Sequence, residues 1–433
     1  MLRAAALLAA FALSACAGAG VGNPPASSAL KGSLRAGYYP LVAPGAVRRL
    51  CPQPARPDEM ECYALERVDL RQGEVRPGVL PLGYSPSDLR SAYAIADSGG
   101  NGVTVAIVDA YAYPTAAHDL ATYRAAFKLP PCDASNHCLR IVGQHGGAPP
   151  KKANANWDGE QALDLDMVSA VCPNCRILLV ESKDGLNRNL YAGVATAHRL
   201  GAVTISNSYG GRETQPSNPI FAGPGSTYVA GAGDDGGGLS DHGGPAQPCT
   251  LPNVVCVGGT ELIPAGLNGV RRSKSARSWS EVTWNDETLD LCNGPCGATG
   301  SACSKLVAKP SWQTDNGCTA RSAADLAIDA SVLTPVAIYC RCAGGWTAAG
   351  GTSVGSPVIA AMIALAGNGD TTNVPAKIWS AQGSSAFNDV TQGTNVYKPV
   401  TGPCASSIAY ICVAGAGYDG PTGWGSPNGL SAL

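Results

Sequence analysis

A serine close to the end of the chain has neighbours that could hold it as a nucleophile. Ser353 lies in the stretch GGTSVGSPVIAAMIALAG, residues 350–367, where small residues run directly into an apolar, helix-like segment. The small residues Gly350 and Gly351 let the backbone turn sharply, and Pro357 is tolerated in a first helical turn. The free N–H groups at such a helix start would stabilise a developing oxyanion. Taken alone, a helix cap explains Ser353 at least as well.

Two acidic residues with helical spacing lie in the stretch WDGEQALDLDMVSAVCPNC, residues 157–175. On a helix, Glu160 and Asp164 stand one turn apart on the same face, with Asp158 just ahead of them. The positions around them are mostly apolar, and a helix that is apolar over most of its circumference is normally buried. Burial and like charge both raise carboxyl pKa values, so we expect the pair to share a proton. The alternative is a solvated acidic stripe.

A third acidic residue follows an apolar strand in the stretch YVAGAGDDGGG. Asp234 comes where the strand ends, and a parallel sheet carries its functional loops at the carboxyl ends of its strands. A simple glycine–aspartate turn is the alternative. A phosphate-binding loop is disfavoured, because the acids would repel the ligand and no Lys-Ser/Thr pair follows.

Taken together, these residues resemble a known family. GTSVGSP resembles the Gly-Thr-Ser-x-x-Ser-Pro nucleophile motif shared by subtilisins and sedolisins. Subtilisins also need a histidine on a helix, and the nearest approach, QHGGAPP at 144–150, heads a proline-rich loop. A subtilisin-type pairing of His145 with Asp109 is therefore disfavoured. Sedolisins, the serine-carboxyl peptidases, instead carry Glu-x-x-x-Asp on the helix and Gly-Asp in a loop, and EQALD at 160–164 and GD at 233–234 match in the same order.

The resemblance covers about residues 84–433 and includes YSPSDLRSAYAI, SNSYGG, VGGT and KPSWQ. It implies a subtilisin-like fold and the hydrolysis of peptide bonds through an acyl-enzyme on Ser353. Glu160 would be the general base, and Asp164 would orient it and hold a shared proton. A protonated Asp234 would donate a hydrogen bond to the oxyanion, which requires an acidic medium. The sequence motifs leave endopeptidase and tripeptidyl-peptidase activity equally open.

The resemblance also implies one structural calcium ion near the C-terminus. Sedolisins bind it with an Asp-Ile/Val pair and a Gly-x-Gly-x-Asp run, which are matched here by Asp389-Val390 and by Gly415, Gly417 and Asp419. Calcium prefers hard oxygen ligands, which two carboxylates and the backbone carbonyls of Val390, Gly415 and Gly417 can supply. Ordinary turn glycines are the alternative explanation of this tail.

The elements that would position these residues alternate between strand and helix. GVTVAIVDAY at 102–111 is an apolar run ended by an acid, as is typical of a buried parallel strand. A helical stretch follows, and further strands and helices alternate up to TYVAGAGDDGG. This succession predicts an α/β fold with a mostly parallel sheet and helices on both faces. Residues 240 to 345 predict long loops and short strands in disulfide-rich insertions.

The first residues, MLRAAALLAAFALSAC, predict a signal peptide with a lipobox over residues 1–16. An ordinary cleaved signal peptide is the alternative to a lipid anchor at Cys16. Residues 17–83 are proline-rich and predict a tether or short pro-segment, and residues 84–433 predict the peptidase domain. Sedolisin precursors usually carry a folded pro-domain of about 180 residues, which is an ordinary domain size. The shorter segment here leaves activation and its cleavage site open.

The 17 cysteines indicate an oxidising compartment, because removing Cys16 as an anchor leaves an even number. Spacing predicts local disulfides for Cys51 with Cys62, Cys132 with Cys138, Cys249 with Cys256, and Cys404 with Cys412. The CPNC motif at 172–175 predicts a further disulfide in preference to a redox or zinc site.

The balance of charge disfavours nucleic acid as a partner, since the net charge is -2 and only 14% of residues are charged. The sequence therefore predicts a monomeric, exported protein of the bacterial cell envelope, or a secreted one, that acts on protein or peptide substrates. Membrane contact is expected only through the lipid anchor. The rival hypothesis is a catalytically inactive relative that serves as an envelope binding or scaffold protein.

Overall fold

The computed structural model describes residues 45–75, 79–96, 98–237, 246–264, 277–287, 296–369, 373–396, 404 and 409–433. The predicted signal peptide and lipobox at 1–16 lie outside these ranges, as does the first part of the predicted tether. Within the described ranges, no helix combines the length and the apolar character needed to cross a membrane.

The strands, in chain order, are β1 (Val47–Arg49), β2 (Glu61–Cys62), β3 (Leu65–Arg67), β4 (Thr104–Ala110), β5 (Leu139–Gly143), β6 (Arg176–Ser182), β7 (Thr204–Asn207), β8 (Tyr209–Gly210), β9 (Thr227–Gly231), β10 (Asp235–Gly237), β11 (Val254–Pro264), β12 (Trp279–Thr283), β13 (Ala298–Ala308), β14 (Ala320–Ala323), β15 (Leu326–Asp329), β16 (Val336–Cys340), β17 (Gly345–Gly350), β18 (Phe387–Asn388) and β19 (Ser426–Pro427). The α-helices are α1 (Pro86–Ala92), α2 (Ala116–Ala126), α3 (Ala155–Val171), α4 (Asn187–Arg199), α5 (Gly355–Ala366) and α6 (Val374–Ser380).

The main sheet has the strand order β12-β11-β9-β7-β4-β6-β5, and β15 also pairs with β11. Every pair in it is parallel except β11 with β12, which is antiparallel. The central strand β4 is buried along almost its whole length, as its continuous apolar run predicts. Helices cover both faces, so the predicted α/β architecture with a mostly parallel sheet is confirmed.

Helix α3 is the buried centre of the fold. It starts at the N-cap Asn154, whose side chain accepts a hydrogen bond from Asn156 N, and every residue from Gly159 to Val171 is buried. It packs against α5 and against β4. Because α3 is enclosed on all sides, its two acidic residues lie in the interior, and the alternative of a solvated acidic stripe is excluded.

The N-terminal part of the described chain is joined to the rest by strand pairing. Strand β3 is antiparallel to both β1 and β17, with Leu65 opposite Gly350, and β16 completes this second sheet. Strand β2 pairs with β8 in antiparallel register, with Cys62 opposite Tyr209. The segment that the sequence assigns to a tether or pro-segment therefore contributes strands to the folded unit near its centre.

The cysteines form local disulfides, as their spacing predicts. The four predicted pairs are bonded, and Cys172 is bonded to Cys175 within the CPNC motif. Two further bonds among the described residues, Cys303–Cys318 and Cys340–Cys342, are also local in sequence and lie in the second half of the chain. The disulfide interpretation of CPNC is therefore the correct one.

Candidate functional site

Ser353 is fully buried and lies in the loop that joins β17 to α5, just ahead of Gly355, the first residue of that helix. Its Oγ donates a hydrogen bond to the backbone carbonyl of Ser208, over 3.2 Å, at the carboxyl end of β7. Ser208 in turn donates its hydroxyl to Asp164 Oδ1, over 2.7 Å. Ser208, the residue that directly follows β7, thus connects Ser353 to helix α3.

A second serine in the same motif anchors the head of α5 to the sheet. Ser356 Oγ lies 2.8 Å from Ser206 Oγ, accepts from Asn207 N over 3.1 Å and donates to the carbonyl of Val229 over 3.2 Å. These partners belong to β7 and β9. Because the helix start is tied to two strands, the Ser353 hydroxyl is held in a fixed place.

Three carboxyl groups form a buried cluster beside Ser353. Glu160 and Asp164 project from α3, and Asp109 comes from the end of β4; all three are inaccessible to solvent. Neither oxygen of Glu160, neither oxygen of Asp109 and not Asp164 Oδ2 has a hydrogen-bond partner. Carboxylates cannot stay charged in such a place at neutral pH without partners, so this cluster binds protons.

The pKa values of these groups follow from burial and mutual repulsion. Burial first, and then the charge of Asp109, raise the pKa of both Glu160 and Asp164 well above the usual range. Burial and the charge of Glu181 raise the pKa of Asp109 to about 8. The nearby Ser353 hydroxyl partly offsets the rise in the pKa of Glu160, although Ser353 donates its hydrogen bond to the backbone carbonyl of Ser208. The cluster therefore titrates as one unit that shares protons.

Asp234 lies beyond the end of β9, and only 2% of its surface is exposed. Its Oδ1 accepts two hydrogen bonds from Thr352, from the backbone N–H over 2.9 Å and from the hydroxyl over 2.8 Å. Burial raises its pKa to about 7, while the nearby charge of Arg49 and the bonds from Thr352 limit that rise. Asp234 is thus neutral in acid and charged in alkali.

Arg49, from β1, reaches the same loop from the N-terminal segment. Its guanidinium donates to the carbonyl of Asp234 over 2.9 Å and forms an ion pair with Asp235 over 2.8 Å. Burial opposes its charge, yet the carboxyls of Asp235 and Asp234 keep its pKa above the usual range.

The predicted calcium ligands converge at the C-terminal end of the chain. Asp419 is buried; its Oδ2 accepts from Gly415 N over 3.0 Å and its Oδ1 from Thr422 N over 2.9 Å. Asp389 Oδ2 accepts from Gly417 N over 2.9 Å. The backbone of this glycine-rich turn is thereby bonded to both carboxylates.

The donor set at this turn fits a hard cation. Burial first, and also the charge of Asp389, raise the pKa of Asp419 to about 7, so these like charges lie close enough to repel. Among the described residues no cluster of three or more metal-ligating side chains exists, so backbone carbonyls would have to complete the coordination. Val390 follows Asp389 directly and is buried beside it. Two carboxylates with adjacent carbonyl oxygens are the ligands that calcium prefers.

The structure therefore brings Glu160, Asp164, Asp234 and Ser353 together, and it adds residues that the sequence motifs do not point to. Ser208 links the serine to the acidic helix, and Thr352 fixes Asp234. Asp109 is recognisable in the sequence as an acid ending a buried strand, but only the fold shows that it faces the other carboxyls. His145 is solvent-exposed and contacts Gln144, which places it on a surface loop.

Comparison with known proteins gives a consistent family. The Subtilase family model (Peptidase S8) matches residues 100–386. Kumamolisin of Bacillus sp. (strain MN-32) is 27% identical over 383 residues, which is 82% of this chain and 63% of the relative. Sedolisin of Pseudomonas sp. (strain 101) is 34% identical over 231 residues, which is 49% of this chain and 35% of the relative.

A solved structure agrees with these relatives. It is that of Pseudomonas sedolisin (serine-carboxyl proteinase) complexed with two molecules of pseudo-iodotyrostatin. The match has a TM-score of 0.63 and 25% sequence identity, and it covers 80% of this chain and 95% of that one. The fold is therefore subtilisin-like, as predicted.

The chain belongs to the subtilase family, and its similarity to kumamolisin and sedolisin confirms the predicted resemblance to the sedolisins. It spans 63% of the length of kumamolisin and 35% of the length of sedolisin.

Proposed function

We propose that the protein is an exported, acid-acting serine-carboxyl peptidase that hydrolyses peptide bonds in proteins or peptides. The observation that carries this proposal is the position of Ser353, which lies beside a cluster of buried carboxyls and directly after Thr352, the residue that binds the buried Asp234. Membership in the subtilase family supports peptide-bond hydrolysis by a serine nucleophile.

In the proposed mechanism, Glu160 takes the proton of the Ser353 hydroxyl as the oxygen attacks the substrate carbonyl carbon. The adjoining Asp164 orients Glu160 and shares a proton with it, so that no full second charge is buried. Glu160 then gives the proton to the leaving amine, and an ester on Ser353 remains. Water resolves the ester by the same steps in reverse order.

The oxyanion of the tetrahedral intermediate would be stabilised by Asp234 in its neutral form. Because Oδ1 accepts both bonds from Thr352, Oδ2 is the oxygen that carries the proton and can donate it. A neutral carboxyl is an effective hydrogen-bond donor in a site that excludes water.

The pH dependence of this mechanism follows from the two groups. The cluster around Glu160 must have lost at least one proton so that Glu160 can accept another, while Asp234 must keep its own. Since the pKa of Asp234 is about 7, the active form is lost as the pH rises through that value. The carboxyl cluster loses its protons in steps, so one of its carboxyls is charged at a pH at which the others are still protonated. Activity is therefore confined to acid and weakly acid solution.

We also propose that one calcium ion is held by Asp389, Asp419 and the carbonyls of Val390, Gly415 and Gly417. When bound, the ion would supply positive charge where two carboxylates repel each other. Export is supported by the disulfides, which persist in oxidising compartments. A lipid anchor at Cys16, in the bacterial cell envelope, is part of the same proposal.

The test is hydrolysis of casein at about pH 4 by the wild-type protein and by Ser353→Ala, because a carboxylate base and a neutral donor coexist only in acid. The proposal requires hydrolysis by the wild type and none by the variant. Equal hydrolysis by both proteins would overturn it, and so would an inactive wild type, which is the result expected of a scaffold protein.

A further inference from the structure

The Cys340–Cys342 disulfide differs from the other disulfides in its exposure to solvent. Cys342 is exposed, whereas Cys340, at the end of β16, is fully buried. Every other cysteine within the described ranges is buried or half-buried. A dissolved thiolate can therefore reach one sulfur of this pair, and thiol–disulfide exchange depends on such access.

The exposed sulfur lies in the short turn of residues 341–343, which joins β16 to β17. A Cβ placed on Gly344, the residue that ends this turn, would meet no atom within 4 Å. The side chain of Arg341, between the two cysteines, is 54% exposed. The surface beside Cys342 is thus open to a small molecule, and the positive charge of Arg341 favours the approach of a negatively charged thiolate.

The disulfide can open without unfolding the hairpin that carries it. A single residue separates the two cysteines, so the bond closes a very small loop. In the chain-entropy account a disulfide stabilises the folded state less when the loop is shorter, so this one contributes little. Strands β16 and β17 are also paired by their backbones, from Cys340 opposite Gly345 back to Val336. This pairing remains when the sulfurs separate.

The buried sulfur has hydrogen-bond donors for the charge that it would acquire. Cys342 N donates to Cys340 Sγ over 3.2 Å, and the hydroxyl oxygen of Tyr113 lies 3.6 Å from the same sulfur. Burial and the charge of Asp119 raise the pKa of Tyr113 well above its usual range, so Tyr113 keeps its proton. Hydrogen bonds to a charged group favour the charged form, so Cys340 is the sulfur suited to leave as a thiolate.

The Tyr113 hydroxyl is free to turn towards Cys340 because its present acceptor has other donors. Asp119 Oδ2 accepts from Tyr113 over 2.7 Å, but also from the Thr115 hydroxyl over 2.8 Å and from Arg341 N over 3.0 Å. When Tyr113 turns away, the last two bonds still satisfy this buried oxygen. The rearrangement therefore leaves no acceptor without a partner.

The Cys172–Cys175 disulfide of the CPNC motif is the matched opposite. Both of its cysteines are fully buried. A Cβ placed on Gly100 would lie 2.2 Å from Cys172 Sγ and 2.8 Å from Cys175 Sγ, so the backbone of Gly100 covers both sulfurs. The pair with the spacing of a redox motif is thus closed to thiols, and the pair at the turn is open.

We propose that the Cys340–Cys342 disulfide is a thiol-exchange site, at which Cys342 accepts a small thiol such as glutathione and Cys340 is the sulfur that leaves. This role is separate from the proposed peptidase function and does not involve Ser353.

The exchange consumes two small thiols. The sulfur of the first thiolate bonds to Cys342 Sγ while the Cys340–Cys342 bond breaks, and the electron pair of that bond stays on Cys340. A second thiolate then bonds to the sulfur of the first thiol, and Cys342 leaves with the electron pair. The two protons that the small thiols lose end on Cys340 and Cys342. The protein disulfide is reduced by two electrons, and the two thiols are oxidised to their own disulfide.

The experiment exposes the folded wild-type protein to glutathione at about pH 8, where part of the thiol is ionised. Samples are quenched over time in denaturant that contains N-ethylmaleimide, and peptide mass spectrometry assigns each cysteine. The Cys340–Cys342 pair should open at least about tenfold faster than Cys172–Cys175, because only the first pair has an exposed sulfur. At early times glutathione should be found on Cys342 and N-ethylmaleimide on Cys340.

A variant of Tyr113 tests the leaving sulfur. Tyr113→Phe should slow the opening of the pair by about threefold to tenfold, as expected of one lost hydrogen bond. In the Cys340→Ser background, Cys342 is a free thiol with no sulfur to expel. There, Tyr113→Phe should leave the reaction of Cys342 with N-ethylmaleimide in the folded protein unchanged. Equal slowing in both backgrounds would show a change in the exposure of Cys342 and would overturn the role of Tyr113.

Two results would overturn the exchange site itself. One is opening of Cys340–Cys342 no faster than that of Cys172–Cys175. The other is glutathione attached to Cys340 in place of Cys342. Melting curves of the variants establish that they fold, so that a slower reaction reports on the site. Because no step measures peptide hydrolysis, these results are independent of the casein test.

Discussion

Thr352 directs both its backbone N–H and its hydroxyl at a single oxygen of Asp234, Oδ1, over 2.9 and 2.8 Å. The residue before the candidate nucleophile thereby decides which oxygen of the acid is free. Because Oδ1 already accepts two bonds, a proton on Asp234 resides on Oδ2, the oxygen that lies beside the carbonyl of Tyr63 over Gly351. This relationship makes the charge state of Asp234 measurable through activity.

The first prediction concerns the alkaline limb of the pH–activity profile. Burial raises the pKa of Asp234 to about 7, so the neutral donor predominates below that pH and disappears above it. Peptidase activity of the wild type should therefore fall as the pH rises through about 7. Asp234→Asn carries an amide that donates at every pH, and its oxygen can still accept the bonds from Thr352.

The measurement is kcat/KM for a peptide substrate between acid and pH 8, with both proteins. The variant is expected to be slower in acid and to lack the fall near pH 7. Full wild-type activity at pH 8 would contradict the assigned role of Asp234.

The second prediction separates the two serines of the GTSVGSP motif. Ser353→Ala should abolish hydrolysis with little effect on the melting temperature, because its hydroxyl makes one bond, to the carbonyl of Ser208. Ser356→Ala should instead lower the free energy of unfolding, because the buried N–H of Asn207 loses its acceptor. An unsatisfied buried donor costs about 1–3 kcal/mol.

The measurements are casein hydrolysis and urea unfolding of both variants. If Ser353→Ala were active, or if Ser356→Ala were as stable as the wild type, the corresponding role would be wrong. Wild-type stability is best measured in a protein that has been shown by mass to be intact.

The sequence predicts the fold and the four central residues better than it predicts their surroundings. Strand β4 and helix α3 can be predicted from the sequence because their apolar patterns are long and local. Asp109 is visible only as a strand-ending acid, because its contact with the carboxyls of α3 depends on how the helix crosses the sheet. The path of residues 61–64 beside Ser208 has no local signal at all. It results from pairings between β2 and β8 and between β3 and β17, which are far apart in sequence.

The third prediction concerns stability as a function of pH. The folded-state pKa of Asp109 is about 8, against an ordinary value of 3.8, so the folded protein keeps a proton that the unfolded chain loses. Where the folded state binds more protons, the free energy of unfolding decreases as the pH rises. This contribution is complete below the unfolded pKa and is lost as the pH rises through about 8. The melting temperature should therefore be higher in acid than at pH 8.

Asp109→Asn, made in the Ser353→Ala background to prevent self-digestion, should reduce that fall because an amide does not titrate. Asp133→Asn is the matched control. The Asp133 carboxyl is exposed, and the bond from the Ser135 hydroxyl lowers its pKa, so this substitution should leave the fall in place. A melting temperature that rises steadily from pH 4 to pH 8 would contradict the protonated cluster.

The fourth prediction concerns calcium and the C-terminal turn. Asp389 and Asp419 lie close enough to repel, and Asp419 is buried, so a bound cation would relieve a cost that the folded protein otherwise bears. Adding calcium to protein freed of metal by chelation should raise the melting temperature. A ligand present at a hundred times its dissociation constant adds about 2.7 kcal/mol to the free energy of unfolding. Asp419→Ala should remove the response to calcium, whereas Asp133→Ala, in the exposed turn between α2 and β5, should keep it. Isothermal titration of both variants in the Ser353→Ala background measures the stoichiometry, for which one ion per chain is expected. An unchanged melting curve after chelation, or an equal response in Asp419→Ala, would rule out a calcium site at this turn.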